Sequence, residues 1–330
     1  MLNLEQMRIQ IITPAKPGSL HGNMATALRW QSHLIAMGCT VDVLQSLNSE
    51  GCDTLIALHA QRSHDSIKKF RTLNPSGRII LIMTGTDIYR DMRVSAEVLD
   101  SLETANKVVV LQELALQSLP EQFKNKTRVI HQSVNISEQS LKLREQSLLD
   151  HKPKSNLLIS VIGHLRDEKD PFCTVRALNH LPNNSAVKVL HLGQAMSEQY
   201  QIQAEEFMLK EARYEWLGQR THEETMMYLA KSDIMVISSL MEGGAHVVSE
   251  AIGLGVPVIA SFIDGNIGLL GAHYPAYYEA GSPKALAEQI MQVLKTPGYL
   301  SELAGFIQTR RSIVSQQTEF EKIKDLILGN

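Results

Sequence analysis

The feature that most constrains this chain is an alternation running from end to end, in which short, almost wholly apolar segments are separated by stretches with helical spacing. Met7–Ile12, Thr40–Leu44, Thr54–Leu58, Arg78–Met83, Lys107–Leu111 and Thr127–Ile130 read as strands. A helix closed by Gly38 follows the first of them, and further helices fit Ser63–Leu73 and Val94–Thr104. From His131 to Ser155 the pattern breaks into a polar stretch with room for a short helix, read as a linker. A second set then begins, with strands at Leu157–Ile162, Val187–Leu192, Arg213–Leu217, Ile234–Ser238 and Val258–Ser261. Helices fit Pro171–Leu181, Ser197–Glu211, Thr221–Ala230, Gly244–Leu254, Pro283–Leu294 and the tail from Tyr299. Strands apolar on both faces belong in a parallel sheet covered by helices on both sides. The expected fold class is α/β, with two Rossmann-like, doubly wound parallel-sheet domains facing a central cleft. Residues 1–150 form the first and 151–314 the second, with the terminal helix 315–330 joined to the first. A chain of 330 residues suits two such cores.

Charge narrows the function. Thirty-two basic against 35 acidic side chains give a formal net charge of −3, without the basic excess of a nucleic-acid binder. The three cysteines, Cys39, Cys52 and Cys173, show no Cys-x-x-Cys spacing and read as reduced thiols of a cytoplasmic protein. No apolar run approaches the ~18–20 residues of a membrane span. Neither a signal peptide nor a membrane partner is expected.

In α/β proteins ligands gather outside the carboxyl ends of the strands, and the loops there hold the unusual residues. Ser238–Ala251 follows an apolar strand and opens a helix. Gly243 and Gly244 allow close backbone approach, and the free amides at Ala245, His246 and Val247 suit an anion. Glu242 and Glu250 are carboxylates that suit sugar and ribose hydroxyls; the plainer reading is a turn with two surface glutamates. Gly163–Pro171 carries Arg166 and Lys169, a planar fork and a point charge fitted to a diphosphate, or else a solvated charged loop. In the first half, the loop Thr13–Asn23 holds Lys16, Gly18 and His21 and ends in Asn23, a good N-cap. His59 and Arg62 follow the third strand, and Thr84, Thr86 and Asp87 the fourth, where Asp87 could equally cap a helix. Asp264–Gly271, with three glycines after a strand, reads either as a wall of the donor pocket or as a plain glycine-rich turn. There is no Asp-x-Asp and no group with metal-ligand spacing, so neither a metal nor another cofactor is expected.

Glu242 to Glu250, continued by Gly253–Ser261, resembles the donor signature of the retaining glycosyltransferase family 4, of GT-B fold. Gly163–Lys169 is similar to that family's diphosphate-gripping loop. The resemblance implies that Glu242 binds the donor sugar and Glu250 the ribose. It implies that Arg166 and Lys169 act on the leaving diphosphate, with Arg166, Lys169 and Glu242 as the catalytic set. Gly18, Gly163 and Gly243–Val247 complete the donor site. Where the family commonly carries a histidine after the fourth strand, this chain has Thr84–Asp87, a departure that weakens the case for a hydroxyl acceptor. The strings Leu58–Ser63, Thr84–Tyr89, Val110–Gln112, Gly163–Phe172, Glu242–Ala245 and Gly265–Gly271 together resemble a branch of that family, the selenosugar synthases of selenoneine biosynthesis. That resemblance implies attack of selenophosphate on a UDP-sugar, UDP-N-acetylglucosamine by expectation, with loss of UDP and then of phosphate. An anionic selenium nucleophile needs no base, and Lys16, His21, Asn23, His59, Arg62, Thr84, Thr86 and Asp87 would line its site. The alternatives are a family-4 transferase acting on another small hydroxyl or thiol, a UDP-sugar epimerase, and a non-catalytic binding protein. Enzymes of the same pathway are conceivable partners.

Overall fold

The computed structural model describes residues 7–16, 18, 22–48, 51–149 and 156–329. The chain divides into two compact units. The first comprises Met1–Ser133, Glu242–His246 and Gln316–Asn330, and the second Val134–Met241 and Val247–Ser315.

In the first unit, strands β1 (Arg8–Ile12), β2 (Thr40–Leu44), β3 (Thr54–Leu58), β4 (Arg78–Ile82), β5 (Lys107–Val110) and β6 (Thr127–Val129) form one sheet in the order β2-β1-β3-β4-β5-β6. Every pairing is parallel. Period-two geometry divides each strand between two cores. Leu55, Ala57, Ile79, Leu81, Val108 and Val110 enter one, and Ile56, Leu58, Ile80, Ile82 and Val109 the other. Burying each such side chain contributes roughly 1.5–3 kcal/mol. The second core is completed by Ile323, Leu326 and Ile327 of the last helix, Gln316–Leu328. That helix is fastened at Glu319, which is buried and accepts from Arg29 Nε (2.8 Å) and from the Ser133 amide (3.0 Å). Burial alone would raise the Glu319 pKa, but hydrogen bonds from His33 and Ser133 and the Arg29 charge bring it down to about 2.

The second unit carries β7 (Leu157–Ile162), β8 (Val187–Leu192), β9 (Tyr214–Gly218), β10 (Ile234–Ile237), β11 (Val258–Ser261) and β12 (Tyr277–Tyr278). Their order is β12-β11-β10-β7-β8-β9, again all parallel. This is the strand order of dinucleotide-binding sheets, reversing direction between β7 and β10. The flanking helices start where side chains cap them: Ser197 accepts from the Tyr200 amide, and Thr221 and Glu224 cap one another. The α/β class with two Rossmann-like parallel sheets is as expected.

Several local expectations are corrected. The first continuous stretch of the first unit runs to Ser133, where a boundary near residue 150 was expected. The stretch read as a linker contains a helix, Glu138–Leu149, whose buried Arg144 donates to the carbonyls of Ser232 and Gly255. Alternating burial there is masked by long polar side chains, which is why the stretch reads as loop. Asn23 is not an N-cap, because the first helix already begins at Gly22. Asp264–Gly271 is not an open turn: Asp264–Leu270 is helical, with Gly265 and Gly268 buried and Asn266 donating to the Ser261 carbonyl. The short strand β12 carries too few residues to show a period. Among the described residues no helix is long and apolar enough to cross a membrane.

Candidate functional site

Each sheet reverses strand order once, and the candidate residues stand on loops at or beside those reversals, after β1, β3 and β4 in the first unit and β7 and β10 in the second. In the second unit the reversal lies between β7 and β10. After β7 the chain runs through Gly163 to a short 3-10 turn, Asp167–Lys169, and leaves it at Asp170 in the left-handed region (φ 40°). Two features lock this loop. A Cβ on Gly193, after β8, would stand 1.9 Å from the Gly163 carbonyl oxygen, so only glycine allows the approach. The end of β10 holds the other side: Ser238 Oγ donates to the carbonyls of Lys169 (2.9 Å) and Asp170 (3.0 Å), and the Leu240 amide to Glu168 (2.9 Å). The Lys169 stem lies over Gly163, and the Arg166 side chain is exposed. The two strand-end loops are thereby one structure, fixed through backbone oxygens, with Arg166 exposed and Lys169 half-buried.

The helix after β10 starts at His246, later than expected, which leaves Gly243, Gly244 and Ala245 in the preceding bend. Glu250 falls in its second turn and is 5% exposed, so it is not a surface glutamate. Its Oε1 is 2.7 Å from His222 Nε2, and that hydrogen bond raises the His222 pKa. His222 was not anticipated. It lies 28 residues from Glu250 and opens a helix as an ordinary polar residue, so no local pattern marks it. Gly253 owes its identity to packing, since a Cβ there would meet Ile136 and Val134.

In the first unit the reversal lies between β1 and β3. Lys16 and Gly18 follow β1, both exposed, with Gly18 at φ 75°. His21, expected beside them, lies outside the described residues. His59 ends β3. It is 3% exposed and holds φ 72°, a left-handed conformation that a non-glycine residue adopts only under constraint. Arg62 is exposed on the following turn. From the neighbouring β4, Thr84 and Asp87 cap the short helix Gly85–Tyr89: the Thr84 amide (2.9 Å) and hydroxyl (3.0 Å) both donate to Asp87 Oδ2. The Thr84 proton is therefore committed to Asp87 rather than to a ligand. The other oxygen, Asp87 Oδ1, is 2.6 Å from His59 Nδ1, and His59 Nε2 is 3.2 Å from Thr86 Oγ1. The position after β4 lacks a histidine of its own, but one is delivered there from β3. Sequence reasoning chose all three residues without seeing that they form a line.

Asp91, buried beside them, was missed; its Oδ1 accepts from Arg90 Nε. His59, Asp87 and Asp91 bring ligating atoms within 4.8 Å of one another, a grouping that sequence spacing could not show. The 2.6 Å between His59 Nδ1 and Asp87 Oδ1 is shorter than the about 3 Å two ligands keep around one ion, so an ion would have to part them. Asp87 Oδ1 accepts no hydrogen bond among the described residues.

The segment Glu242–His246, which groups with this unit, packs against the same loop. A Cβ on Gly85 would stand 2.4 Å from the Gly243 amide nitrogen, and one on Gly243 2.5 Å from that of Gly85. Gln132 Nε2 donates to the Gly244 carbonyl (2.6 Å), and His246 Nε2 lies 3.2 Å from the Ser133 carbonyl. Both glycines of the Glu242 segment are thus required by packing as well as by any ligand. Thr86 stands one residue from the Gly85–Gly243 contact.

Residues 142–311 match the family described as glycosyl transferases group 1. The chain belongs to that family. It is 30% identical over 138 residues to the Bacillus subtilis (strain 168) protein named as the teichuronic acid biosynthesis glycosyltransferase TuaC, a match covering 42% of this chain and 33% of that one. The chain thus matches about a third of the length of that curated relative. Among solved structures, sucrose-phosphate synthase from Thermosynechococcus elongatus superposes with a TM-score of 0.76 at 16% identity, covering 98% of each chain. Anabaena Alr3699/HepE, solved in complex with UDP and glucose, does so at 0.71 and 17%, also over 98% of each. These likenesses show the shared two-domain GT-B fold.

Proposed function

We propose that the protein transfers a sugar from a UDP-sugar, UDP-N-acetylglucosamine foremost, to selenophosphate. The products are UDP, phosphate and a 1-selenosugar, a step of selenoneine biosynthesis. The observation that carries the donor half is the locked pair of loops after β7 and β10. They present Lys169 and Arg166 at the crevice where doubly wound sheets bind nucleotides. The UDP held by the Anabaena relative supports the same nucleotide here. In this reading Glu250 accepts the ribose hydroxyls and Glu242 those of the donor sugar, with Gly243–Val247 against the phosphates. Arg166 and Lys169 neutralise the departing diphosphate, so no metal ion or other cofactor takes part. Lys16, Arg62 and the Thr84–Thr86 loop of the first unit receive the acceptor, whose negative charge suits the exposed cations there.

The His59–Asp87 pair favours a second reading. A buried imidazole close beside a carboxylate is a candidate general base, which a hydroxyl or thiol acceptor would use. One experiment separates the two. The purified protein is given a UDP-sugar, excess EDTA and either selenophosphate or a panel of small alcohols and thiols. Selenium-bearing sugar by mass spectrometry, undiminished by EDTA, is the expected result. UDP release only with an alcohol or thiol would replace this reading by the second.

A further inference from the structure

We propose that His59, Asp87 and Asp91 form a buried binding site for a divalent cation of the zinc or manganese class. The site stands apart from the donor chemistry, where Arg166 and Lys169 face the diphosphate, and it holds whichever acceptor the protein uses. Three observations carry it. The first is convergence. His59 ends β3, Asp87 lies in the short helix Gly85–Tyr89 after β4, and Asp91 opens the 3-10 turn Asp91–Arg93. All three are buried, and one ligating atom from each lies within 4.8 Å of the other two. Ligands about 2.1 Å from one ion stand at most about 4.2 Å apart, so shifts of about half an ångström bring these atoms onto it. The close His59–Asp87 pair opens by a similar amount.

The second observation is a pair of carboxylate oxygens without a hydrogen. Asp87 Oδ1 and Asp91 Oδ2 are buried and accept no hydrogen bond among the described residues. Each aspartate spends only its other oxygen, Asp87 Oδ2 on Thr84 and Asp91 Oδ1 on Arg90 Nε. Buried polar atoms are rarely left so, because nothing offsets their lost hydration. A helix cap accounts for Oδ2 of Asp87 and not for Oδ1.

The third is electrostatic. His59 Nδ1 accepts from the Arg62 amide (3.5 Å) and so offers a lone pair, and Asp87 Oδ1 offers others 2.6 Å away. Lone pairs pressed so close repel unless a cation draws both. Charge agrees. Asp87 and Asp91 take two carboxylates below the surface, and Arg90 answers that of Asp91. Buried charge is costly unless paired, and a cation between the aspartates supplies the pairing.

The donor set selects the ion. Calcium and magnesium prefer oxygen alone, whereas one imidazole nitrogen with two carboxylate oxygens suits zinc or manganese. Bound there, the ion ties the end of β3 to the loop after β4 and fixes the Thr84–Thr86 segment. Its ligands are buried, so it leaves only when this loop opens, and brief exposure to EDTA does not strip it.

The test takes the full chain after prolonged dialysis against dipicolinate and titrates it with Co2+, whose visible absorbance reports its ligands. A single Co2+ per chain is expected, displaced by Zn2+, with Zn2+ raising the thermal unfolding midpoint by several degrees. Asp91→Asn should weaken Co2+ about a hundredfold or more and cancel the midpoint shift. Wild type that binds neither Co2+ nor Zn2+ overturns the site. Binding unchanged in Asp91→Asn overturns it as well, being adventitious capture by exposed side chains. Should that variant fail to fold, X-ray absorption of the wild-type Zn2+ complex decides: one imidazole bound to the ion is expected, and none, or more than one, overturns the site.

Discussion

The two sheet reversals are built on different principles. At β7/β10 the loops are fixed through the main chain: a glycine pressed on a carbonyl, a serine and an amide bonded to carbonyls, with Arg166 exposed and Lys169 half-buried. At the ends of β3 and β4, beside the first sheet's reversal, the arrangement is held by side chains, with Asp87 and Thr86 on either side of a left-handed His59. A frame fixed by backbone serves a ligand that recurs, because the frame outlasts changes in its side chains. A frame made of side chains is specific to one chemistry and is undone by one substitution.

Substitutions on the two sides should therefore fail differently. The largest effect is expected at His59→Gln, which should lower turnover by about 10²–10³-fold while UDP binding, measured by calorimetry, stays within error. Lost UDP affinity in that variant would erase the distinction between the two sides. Gly193→Ala should come next. It forces a Cβ onto the Gly163 carbonyl and should lower stability by about 3 kcal/mol in urea unfolding, weakening UDP as the Lys169 loop shifts. An unchanged midpoint would show that the loop is not locked as described. Glu250→Ala should weaken UDP itself by about 2 kcal/mol, through loss of charged hydrogen bonds, in a titration that needs no acceptor. The smallest effect is at His222, whose pKa is raised by Glu250. A raised histidine adds stability below its unfolded pKa of about 6.5 and loses it as pH climbs through the folded value. The stability gap between wild type and His222→Ala should thus be widest near pH 6, close by pH 9, and stay under about 1 kcal/mol for so exposed a ring.

What the sequence discloses follows the same division. Backbone-built structure leaves local marks: strands apolar on both faces, glycines where main chains touch, and serines or threonines opening helices. The sheets, the Gly163–Lys169 loop and the Glu242–Glu250 segment were legible for that reason. The side-chain line was legible only as separate residues. His59 and Asp87 are far apart in the chain, and nothing in Leu58–Ser63 announces that its histidine turns back under constraint onto the next strand's loop. His222 on Glu250 and Arg144 under the expected linker were hidden for the same reason. The departure after the fourth strand was read as a missing histidine, whereas the ring arrives from the neighbouring strand.

The last helix bears on how the protein is made. Ile323, Leu326 and Ile327 close a core whose other members end at Ile130, and Glu319 fastens the helix at Ser133. At ~5–20 residues per second, a ribosome takes roughly 10–40 s to travel from Ser133 to that helix. Throughout this interval that face of the first sheet is covered by Ala27, Trp30 and Leu34 of the first helix but lacks Ile323, Leu326 and Ile327, while the second unit is synthesised whole. The nascent protein carries an incomplete core until then, and the length of the second unit sets how long it does so.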